Sequence, residues 1–440
     1  MKNSKRSLHR SSNITNGILI GLVAIVAAVF INARTATEQE PRYQEVFLNN
    51  DTSIHRIYQI ELSDASFELI TLPKKASSLS IEWFDPEVPK SRLFFEGMGH
   101  VTMTGQASDN GPNHIFSRLV IPTAPFDNFL FQSGKTEQKV YLHVFFVPEI
   151  EVQPSSAKLA KNASLCSEPN WISYETWRKG LPDPKQGRVA TEVRHCVVHH
   201  SAVLSNDTDY VKRVRNIYAF HTQSRGWDDI GYNFLVAPNG DLFGGRDPQG
   251  VADIDDVMGA HYCAKNSNTM GICMMGDYTS ENISDTAQGS LVHLLTWKLY
   301  KSALNTSDSF IHPENTGEYL ATIVGHRDGC ATACPGNTFY PSLSKLRKRV
   351  QDELDLCIST SVNDLQTGNL KIWPNPVSDY LRISGLSSPQ SKFIVHSMQG
   401  QKMMEGTYRD SEPIDVRALP EGTFVLTIGA NRYKFAKTFR

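Results

Sequence analysis

The pattern of secondary structure changes twice along the chain, and this change restricts its fold more than any other feature. Between Cys166 and Cys357, strand-like and helix-like segments alternate, as in an α/β domain. Residues 41–148 and 370–440 instead contain short strand-like runs, rich in β-branched and aromatic residues and separated by turn residues. We therefore expect a multidomain chain, with an antiparallel β-sandwich accessory domain at 41–148 that acts as a binding or spacer module.

Two polar segments separate these regions. Residues 149–165 are rich in Pro, Ser, Ala and Lys, and residues 358–369 are polar without apolar periodicity. Such compositions are typical of linkers. The sequence thus predicts three folded domains, at 41–148, 166–357 and 370–440.

The first 36 residues have the layout of a secretory signal peptide. A basic start precedes residues 17–31, fifteen residues without a charge, and the small residues Ala33 and Ala36 follow as cleavage sites. The alternative is an uncleaved membrane anchor, but a spanning helix needs about 20 apolar residues. We expect Sec export to the periplasm and a mature chain without a transmembrane segment, in a compartment that allows disulfides.

Charge and cysteine content exclude several classes of protein. The net charge is −2, from 44 Lys and Arg against 46 Asp and Glu. This balance excludes a strongly basic nucleic-acid binder and a strongly acidic solvating chain. Seven cysteines are too few for a disulfide scaffold, and because their number is odd at least one stays outside any intramolecular pairing.

The first chemical motif is a pair of histidines at the end of an apolar strand, in the segment VVHHS at 197–201. Alternate residues of a strand face opposite sides, so His199 and His200 cannot both face one site. A lone histidine at a strand end is more often structural than a ligand. This motif alone therefore does not predict a metal site.

That second cluster is GHRDGCATACPG at 325–336, where seven residues separate His326 from Cys334 in a loop of small residues. Such a loop can bring both side chains to one ion. Zinc accepts imidazole nitrogen and thiolate sulfur, and catalytic zinc sites use three protein ligands and a water. Two histidines and one cysteine would satisfy this requirement, although Cys330 or Cys334 could equally form a disulfide.

Between the two clusters, Tyr232 begins a strand after a glycine, in GWDDIGYNF at 226–234. A tyrosine hydroxyl can donate a hydrogen bond to a developing oxyanion. The alternative is a half-buried aromatic residue with no chemical role.

These motifs occur together with several others, in one order, over some 140 residues. The segments are VVHHS at 197–201, RGWDDIGYNF at 225–234, NG at 239–240 with GR at 245–246, GAH at 259–261, Asn266 with MGI at 270–272, GD at 276–277, GHRD at 325–328 and TACPG at 332–336. Residues 166–357 thereby resemble the zinc-dependent type 2 N-acetylmuramoyl-L-alanine amidases, which include the peptidoglycan recognition proteins. The resemblance implies an α/β domain with a mixed β-sheet flanked by helices.

The resemblance also implies roles for individual residues. The zinc ligands would be His199, His326 and Cys334, with Tyr232 and Thr332 as catalytic residues. Four further positions would bind substrate or support the groove: His221, Arg246, His261 and Asn266.

The implied activity is hydrolysis of the amide bond between N-acetylmuramic acid and L-Ala of peptidoglycan, with Zn²⁺ as cofactor. The alternative is a recognition protein that binds peptidoglycan without cleaving it. Such members commonly lack the cysteine ligand, which this chain keeps at position 334.

The remaining cysteines then number six. Cys166 and Cys357 bracket the central domain, so a bridge between them would close it. The partners among Cys196, Cys263, Cys273 and Cys330 cannot be assigned from the sequence.

The C-terminal 71 residues carry a resemblance of their own. The segments are IWPNPVSDYL at 372–381, GQ at 400–401, LPEGTF at 419–424 and lysines at 434 and 437. They resemble the sorting domain of type IX secretion, and the alternative is a carbohydrate-binding β module. The resemblance implies a small β-sandwich that engages the type IX secretion machinery and a final location outside the cell or at its surface.

Overall fold

A computed structural model gives the fold. It describes residues 43–438 except 47–52, 63–66, 85–90, 96–98, 104, 109–110, 133–137, 153–164, 205–206, 315–318, 365–370, 386–389, 398–400, 410–411 and 429–430. The signal peptide predicted at 1–36 and most of the linker predicted at 149–165 lie outside the described residues. Within them, no helix combines the length and the hydropathy needed to span a membrane.

The N-terminal region consists of strands, as its alternating sequence predicts. The strands are β1 (Tyr43–Val46), β2 (His55–Leu62), β3 (Phe67–Ala76), β4 (Ser78–Trp83), β5 (Arg92–Phe95), β6 (Gly99–Thr102), β7 (Gly105–Ser108), β8 (Gly111–Ser117), β9 (Phe126–Gln132) and β10 (Gln138–Phe145). They form one sheet in the order β1-β2-β10-β4-β8-β7 and a second in the order β3-β9-β5-β6. One hydrophobic cluster takes side chains from both sheets, among them Ile81 and Phe129.

The central region contains short strands. They are β11 (His195–His200), β12 (Phe234–Val236), β13 (Leu242–Gly244), β14 (Thr269–Met274), β15 (Ser309–Ile311), β16 (Tyr319–Ala321) and β17 (Ile323–Gly325). Five of them form a sheet in the order β13-β12-β14-β11-β17, in which only the β12–β13 pair is antiparallel. The predicted mixed sheet is therefore present, and β15 and β16 form a separate hairpin.

In the described part of the central region, four α-helices accompany this sheet: α1 (Tyr174–Arg178), α2 (Tyr210–Ala219), α3 (Asp285–Lys301) and α4 (Leu343–Asp364). The first three begin at Ser173, Asp209 and Ser284, whose side chains accept a backbone N–H of the first turn. Apolar side chains of α3 and α4 pack on one face of the sheet and those of α2 pack on the other. Helix α4 extends to Asp364 and so includes the first residues of the segment predicted as a linker.

Two disulfides join distant parts of the central region. Cys166 pairs with Cys357, at a Cα–Cα distance of 5.7 Å, which confirms the predicted bridge. Cys263 pairs with Cys330, at 6.2 Å, a pairing that the sequence left open. The unpaired cysteines are buried: Cys196, Cys273 and Cys334.

The C-terminal region consists of β18 (Lys371–Trp373), β19 (Tyr380–Ser384), β20 (Gln390–Ser397), β21 (Lys402–Arg409), β22 (Ile414–Asp415), β23 (Gly422–Ile428) and β24 (Asn431–Lys437). These strands form two sheets, β18-β19-β22 and β21-β20-β23-β24, around a hydrophobic cluster of their own. The β-sandwich arrangement of the two flanking regions stays a prediction.

The N-terminal region packs directly on α2 of the central region. One hydrophobic cluster contains Phe116 and Phe145 from the first together with Ile217 and Phe220 from the second. Beside it, the Ser77 and Ser78 hydroxyls donate to Asn216 Oδ1 at 2.7 and 2.6 Å. No motif of the sequence indicates this shared core.

Candidate metal centre

Two histidines meet at one edge of the central sheet because their strands are parallel neighbours. β11 pairs with β17, with Val198 opposite Gly325. His199 therefore lies at the end of β11, next to His326, the first residue after β17. The two imidazole rings are 4.4 Å apart between centroids.

A loop after His326 returns a cysteine to the same place. The Cys334 carbonyl accepts the Arg327 N–H at 3.1 Å, which closes the loop. The Cys334 Sγ lies 3.7 Å from His199 Nδ1 and accepts the His200 N–H at 3.3 Å. Just beyond, Gly336 has a φ of +104°, and a Cβ there would lie 2.2 Å from the Tyr278 carbonyl oxygen, so this turn requires glycine.

The three side chains form a group with the geometry of a metal site. One ligand atom from each of His199, His326 and Cys334 lies within 4.8 Å of the other two. His199 is 1% exposed and Cys334 is 6% exposed. Cys334 is not in a disulfide, so its sulfur is available as a ligand.

Burial controls the electrostatics of this group. It lowers the pKa of His199 well below its usual value, with His326, His261 and His200 adding to the effect. It likewise lowers the pKa of His326 to about 4, helped by His200. Both imidazoles are therefore neutral near pH 7, the form that binds a metal. Burial also raises the pKa of the Cys334 thiol to about 12.

The neighbouring His200 points to the opposite side of β11. Its Nδ1 accepts the Tyr278 N–H at 3.2 Å and lies 3.7 Å from Asp277 Oδ1. The alternation of strand side chains thus separates the two adjacent histidines.

The two residues expected to assist catalysis lie beside the group. The Tyr232 ring centroid is 5.2 Å from that of His199, and burial, followed by the nearby Cys273 and Cys334, raises the Tyr232 pKa well above its usual value. The phenol is therefore a hydrogen-bond donor at neutral pH. Thr332 Oγ1 accepts the Cys334 N–H at 3.2 Å and so fixes the loop that carries the cysteine.

The four residues expected to bind substrate make internal contacts. His221 Nδ1 accepts the Gly231 N–H at 3.2 Å, and Arg246 forms an ion pair with Asp228 at 2.6 Å. Asn266 Oδ1 accepts the His261 N–H at 2.8 Å. These contacts support the walls of the site, and direct contact with substrate stays a prediction for all four residues.

Two neighbours of the histidines were not foreseen in these positions. His261 Nδ1 lies 3.0 Å from His199 Nε2, so His261 contacts the ring nitrogen of His199 that does not face Cys334. The Cys263 sulfur of the second disulfide lies 3.6 Å from His326 Nε2. The sequence draws attention to both residues, to His261 through the GAH motif and to Cys263 as one of the six remaining cysteines. Their positions beside His199 and His326 depend on how the loops pack.

Comparison with known proteins agrees with these motifs. Residues 189–337 match the family of N-acetylmuramoyl-L-alanine amidases. Peptidoglycan-recognition protein SC2 of Drosophila simulans is 30% identical over 171 residues, which cover 38% of this chain and 82% of that protein. The chain belongs to this amidase and peptidoglycan-recognition family. The sheet edge with His199 and His326 lies inside the matched range.

The chain is also similar to a mammalian protein, to a solved structure and, at its C-terminal end, to a second family. N-acetylmuramoyl-L-alanine amidase of Sus scrofa is 29% identical over 150 residues, 33% of this chain and 22% of that protein. Among solved structures, wild-type Drosophila PGRP-LB is 27% identical with a TM-score of 0.32, over 40% of this chain and 92% of that one. Residues 371–439 match the secretion system C-terminal sorting domain, so the amidase-family region is followed by a sorting domain.

Proposed function

We propose that the chain is a secreted zinc-dependent N-acetylmuramoyl-L-alanine amidase that hydrolyses the amide bond between N-acetylmuramic acid and L-Ala of peptidoglycan. The observation that carries the proposal is the compact group of His199, His326 and Cys334. A protein that only binds peptidoglycan has no need of a complete ligand set beside a tyrosine.

The donor set fits zinc. Two imidazole nitrogens and one thiolate sulfur are ligands that this borderline-soft ion prefers, and three protein ligands are the number found in catalytic zinc sites. His199 already has a partner for its second nitrogen in His261, as metal-binding histidines commonly do. A zinc ion bound here supplies an activated water and polarises the scissile carbonyl.

The protein side chains supply the rest of the chemistry. The Tyr232 hydroxyl stays protonated and can donate to the oxyanion that develops when the amide is attacked. The Thr332 hydroxyl holds the Cys334 loop and can also orient the water or the oxyanion. The amide nitrogen takes a proton as it leaves, which gives a free L-Ala amino group on the peptide and a carboxylate on the muramoyl group.

The flanking segments support a secreted enzyme. We propose that residues 1–36 direct export to the periplasm and that the sorting domain engages type IX secretion machinery, so that the enzyme acts outside the cell or at its surface. We also propose that both flanking regions are β-sandwiches. The match of residues 371–439 to a sorting domain supports the export route.

A metal-content test uses adjacent histidines as a matched pair. His199→Ala is expected to lose zinc and activity, whereas His200→Ala keeps zinc because His200 faces Tyr278 and Asp277 instead. Metal analysis of the purified full chain, before and after a strong chelator, checks both. Zinc loss in the His200 variant with retention in the His199 variant would show that the ligand assignment is wrong.

A second pair of variants separates catalysis from binding. Cys334→Ser removes a soft thiolate and should abolish peptide release while leaving binding to insoluble peptidoglycan. Tyr232→Phe should keep zinc and binding but lose about 10²–10³ in rate, the usual cost of one oxyanion donor. If the zinc-loaded wild type binds the wall and releases no peptide beginning with L-Ala, the chain is a recognition protein instead.

A further inference from the structure

The Cys263–Cys330 disulfide lies against one of the candidate zinc ligands. The Cys263 Sγ is 3.6 Å from His326 Nε2, and one ligand atom from each of Cys263, Cys330 and His326 lies within 4.8 Å of the other two. A nitrogen at about 2.1 Å and a sulfur at about 2.3 Å from a tetrahedral zinc ion are about 3.6 Å apart. The three atoms therefore form a second group with the spacing of a metal site, and this group shares His326 with the first.

The disulfide keeps this second group from binding a metal. Both sulfurs are joined in the bridge, and the thiolate is the form of cysteine that binds a metal. Cys263 is exposed and Cys330 is half-buried, so a reductant can reach the bond. A phosphine cleaves such a bond with one water molecule, and the products are two thiols and the phosphine oxide.

Other contacts hold the two loops together without the disulfide. The Lys265 Nζ donates to the Gly329 carbonyl at 3.0 Å. The Tyr262 ring centroid lies 6.0 Å from that of His326. A Cβ on Gly329 would lie 2.2 Å from the Tyr262 hydroxyl oxygen, so the loops pack closely at this glycine. We therefore expect both thiols to stay beside His326 after reduction.

His326 can serve only one of the two groups at a time. A neutral imidazole has a free lone pair on one of its two nitrogens, the other nitrogen being protonated. The candidate catalytic group offers two imidazoles and one thiolate, whereas the second group offers one imidazole and two thiolates. Both sets suit zinc. Loss of His326 to the second group leaves the first with only His199 and Cys334, one ligand fewer than a catalytic zinc site uses.

We propose that reduction of the Cys263–Cys330 disulfide creates a metal site of Cys263, Cys330 and His326 that competes with the candidate catalytic group for zinc, so that the disulfide controls hydrolysis. The proposal rests on the proposed amidase function. Disulfides persist in oxidising compartments. Outside the cell the enzyme is therefore in its oxidised and active form, and a reducing environment stops hydrolysis.

The test loads the full wild-type chain with cobalt in place of zinc and compares it before and after a phosphine is added. The charge-transfer absorption of cobalt grows with the number of bound thiolates, and a phosphine adds no sulfur of its own. The absorption should about double, because Cys263 and Cys330 replace the single thiolate of Cys334. With zinc, peptide release should fall at least about tenfold, which corresponds to a difference of about 1.4 kcal/mol between the two groups.

Two double variants assign this response. Cys263→Ser with Cys330→Ser removes both sulfurs of the second group, so its cobalt absorption and its rate should not respond to the phosphine. Cys166→Ser with Cys357→Ser removes the other disulfide and is the matched control, which should respond as wild type does.

Two results overturn the proposal: a reduced wild type that keeps the cobalt absorption of the oxidised chain, or an equal response in the variant without Cys263 and Cys330. The wild-type spectrum tests the site whether or not either variant folds. If no peptide is released in either state but the absorption doubles, the amidase proposal fails and the metal site stands. If peptide is released equally with and without the phosphine, the amidase stands and the control by the disulfide fails.

Discussion

The two strand-rich flanks of this molecule relate to its centre in different ways. The N-terminal region shares a hydrophobic cluster with α2, pairs its backbone with Leu204 and joins Arg118 to Asp277. The C-terminal region has a cluster made only of its own residues, from Val377 to Phe435. Among the described residues, no hydrophobic cluster spans the C-terminal and central regions. The N-terminal region therefore shares a core with the central region, whereas the C-terminal region keeps its own core and meets the central region at surface contacts such as Arg432 over the Tyr300 ring, 4.8 Å away.

Truncation should show this difference most strongly. Deleting residues 371–440 should leave a soluble protein that keeps zinc and hydrolysis, since the removed core is separate. Deleting residues 43–147 should expose Ile217 and Phe220 and give aggregated or inactive protein. Soluble yield, zinc content and peptide release measure both variants. A soluble and fully active protein without residues 43–147 would show that the central region does not need the N-terminal region to fold.

Single substitutions in the two cores should have smaller but still large effects. Phe145 and Phe435 are both fully buried, and replacing either with Ala should cost about 3–5 kcal/mol. Phe145→Ala should destabilise the central region as well as the N-terminal region, whereas Phe435→Ala should affect only the C-terminal region. Hydrogen exchange measured region by region checks this, and unchanged protection of α2 in the Phe145 variant would contradict it.

The smallest effects on stability are expected for substitutions that break ion pairs. Asp277→Asn breaks a pair between regions whose side chains are 19% exposed, and it should cost about 1–3 kcal/mol of unfolding free energy. Asp352→Asn breaks the exposed pair with Lys348 within α4 and should cost at most about 0.5 kcal/mol. Denaturant unfolding of both variants gives the comparison. Equal costs would mean that the Arg118–Asp277 pair does not hold the two regions together.

The sequence predicts the parts of this molecule that depend on local pattern. An apolar run locates β11 with His199 near its end, and the motifs single out His326 and Cys334, but strand β17, which brings His326 beside His199, was not predicted. The bracketing positions of Cys166 and Cys357 likewise predict their bridge, which the structure confirms.

Contacts between distant surfaces could not be predicted in this way. Arg118 and Asp277 are 159 residues apart, and an isolated arginine in a strand-rich region carries no sign of its partner. The Cys263–Cys330 pairing depends on how two loops pack against His326. Helix α4 continues into the segment predicted as a linker because residues 358–364 contain neither glycine nor proline to stop it.

The most direct test of the central claim is hydrolysis of a defined muropeptide in H₂¹⁸O by the full zinc-loaded chain, with mass spectrometry of both products. Attack of water on the lactyl carbonyl predicts one ¹⁸O atom in the muramoyl carboxylate and none in the peptide, which begins with an unlabelled L-Ala amine. The Cys334→Ser variant should give neither product. Label in the peptide, or cleavage within the glycan or between peptide residues, would contradict the amidase assignment.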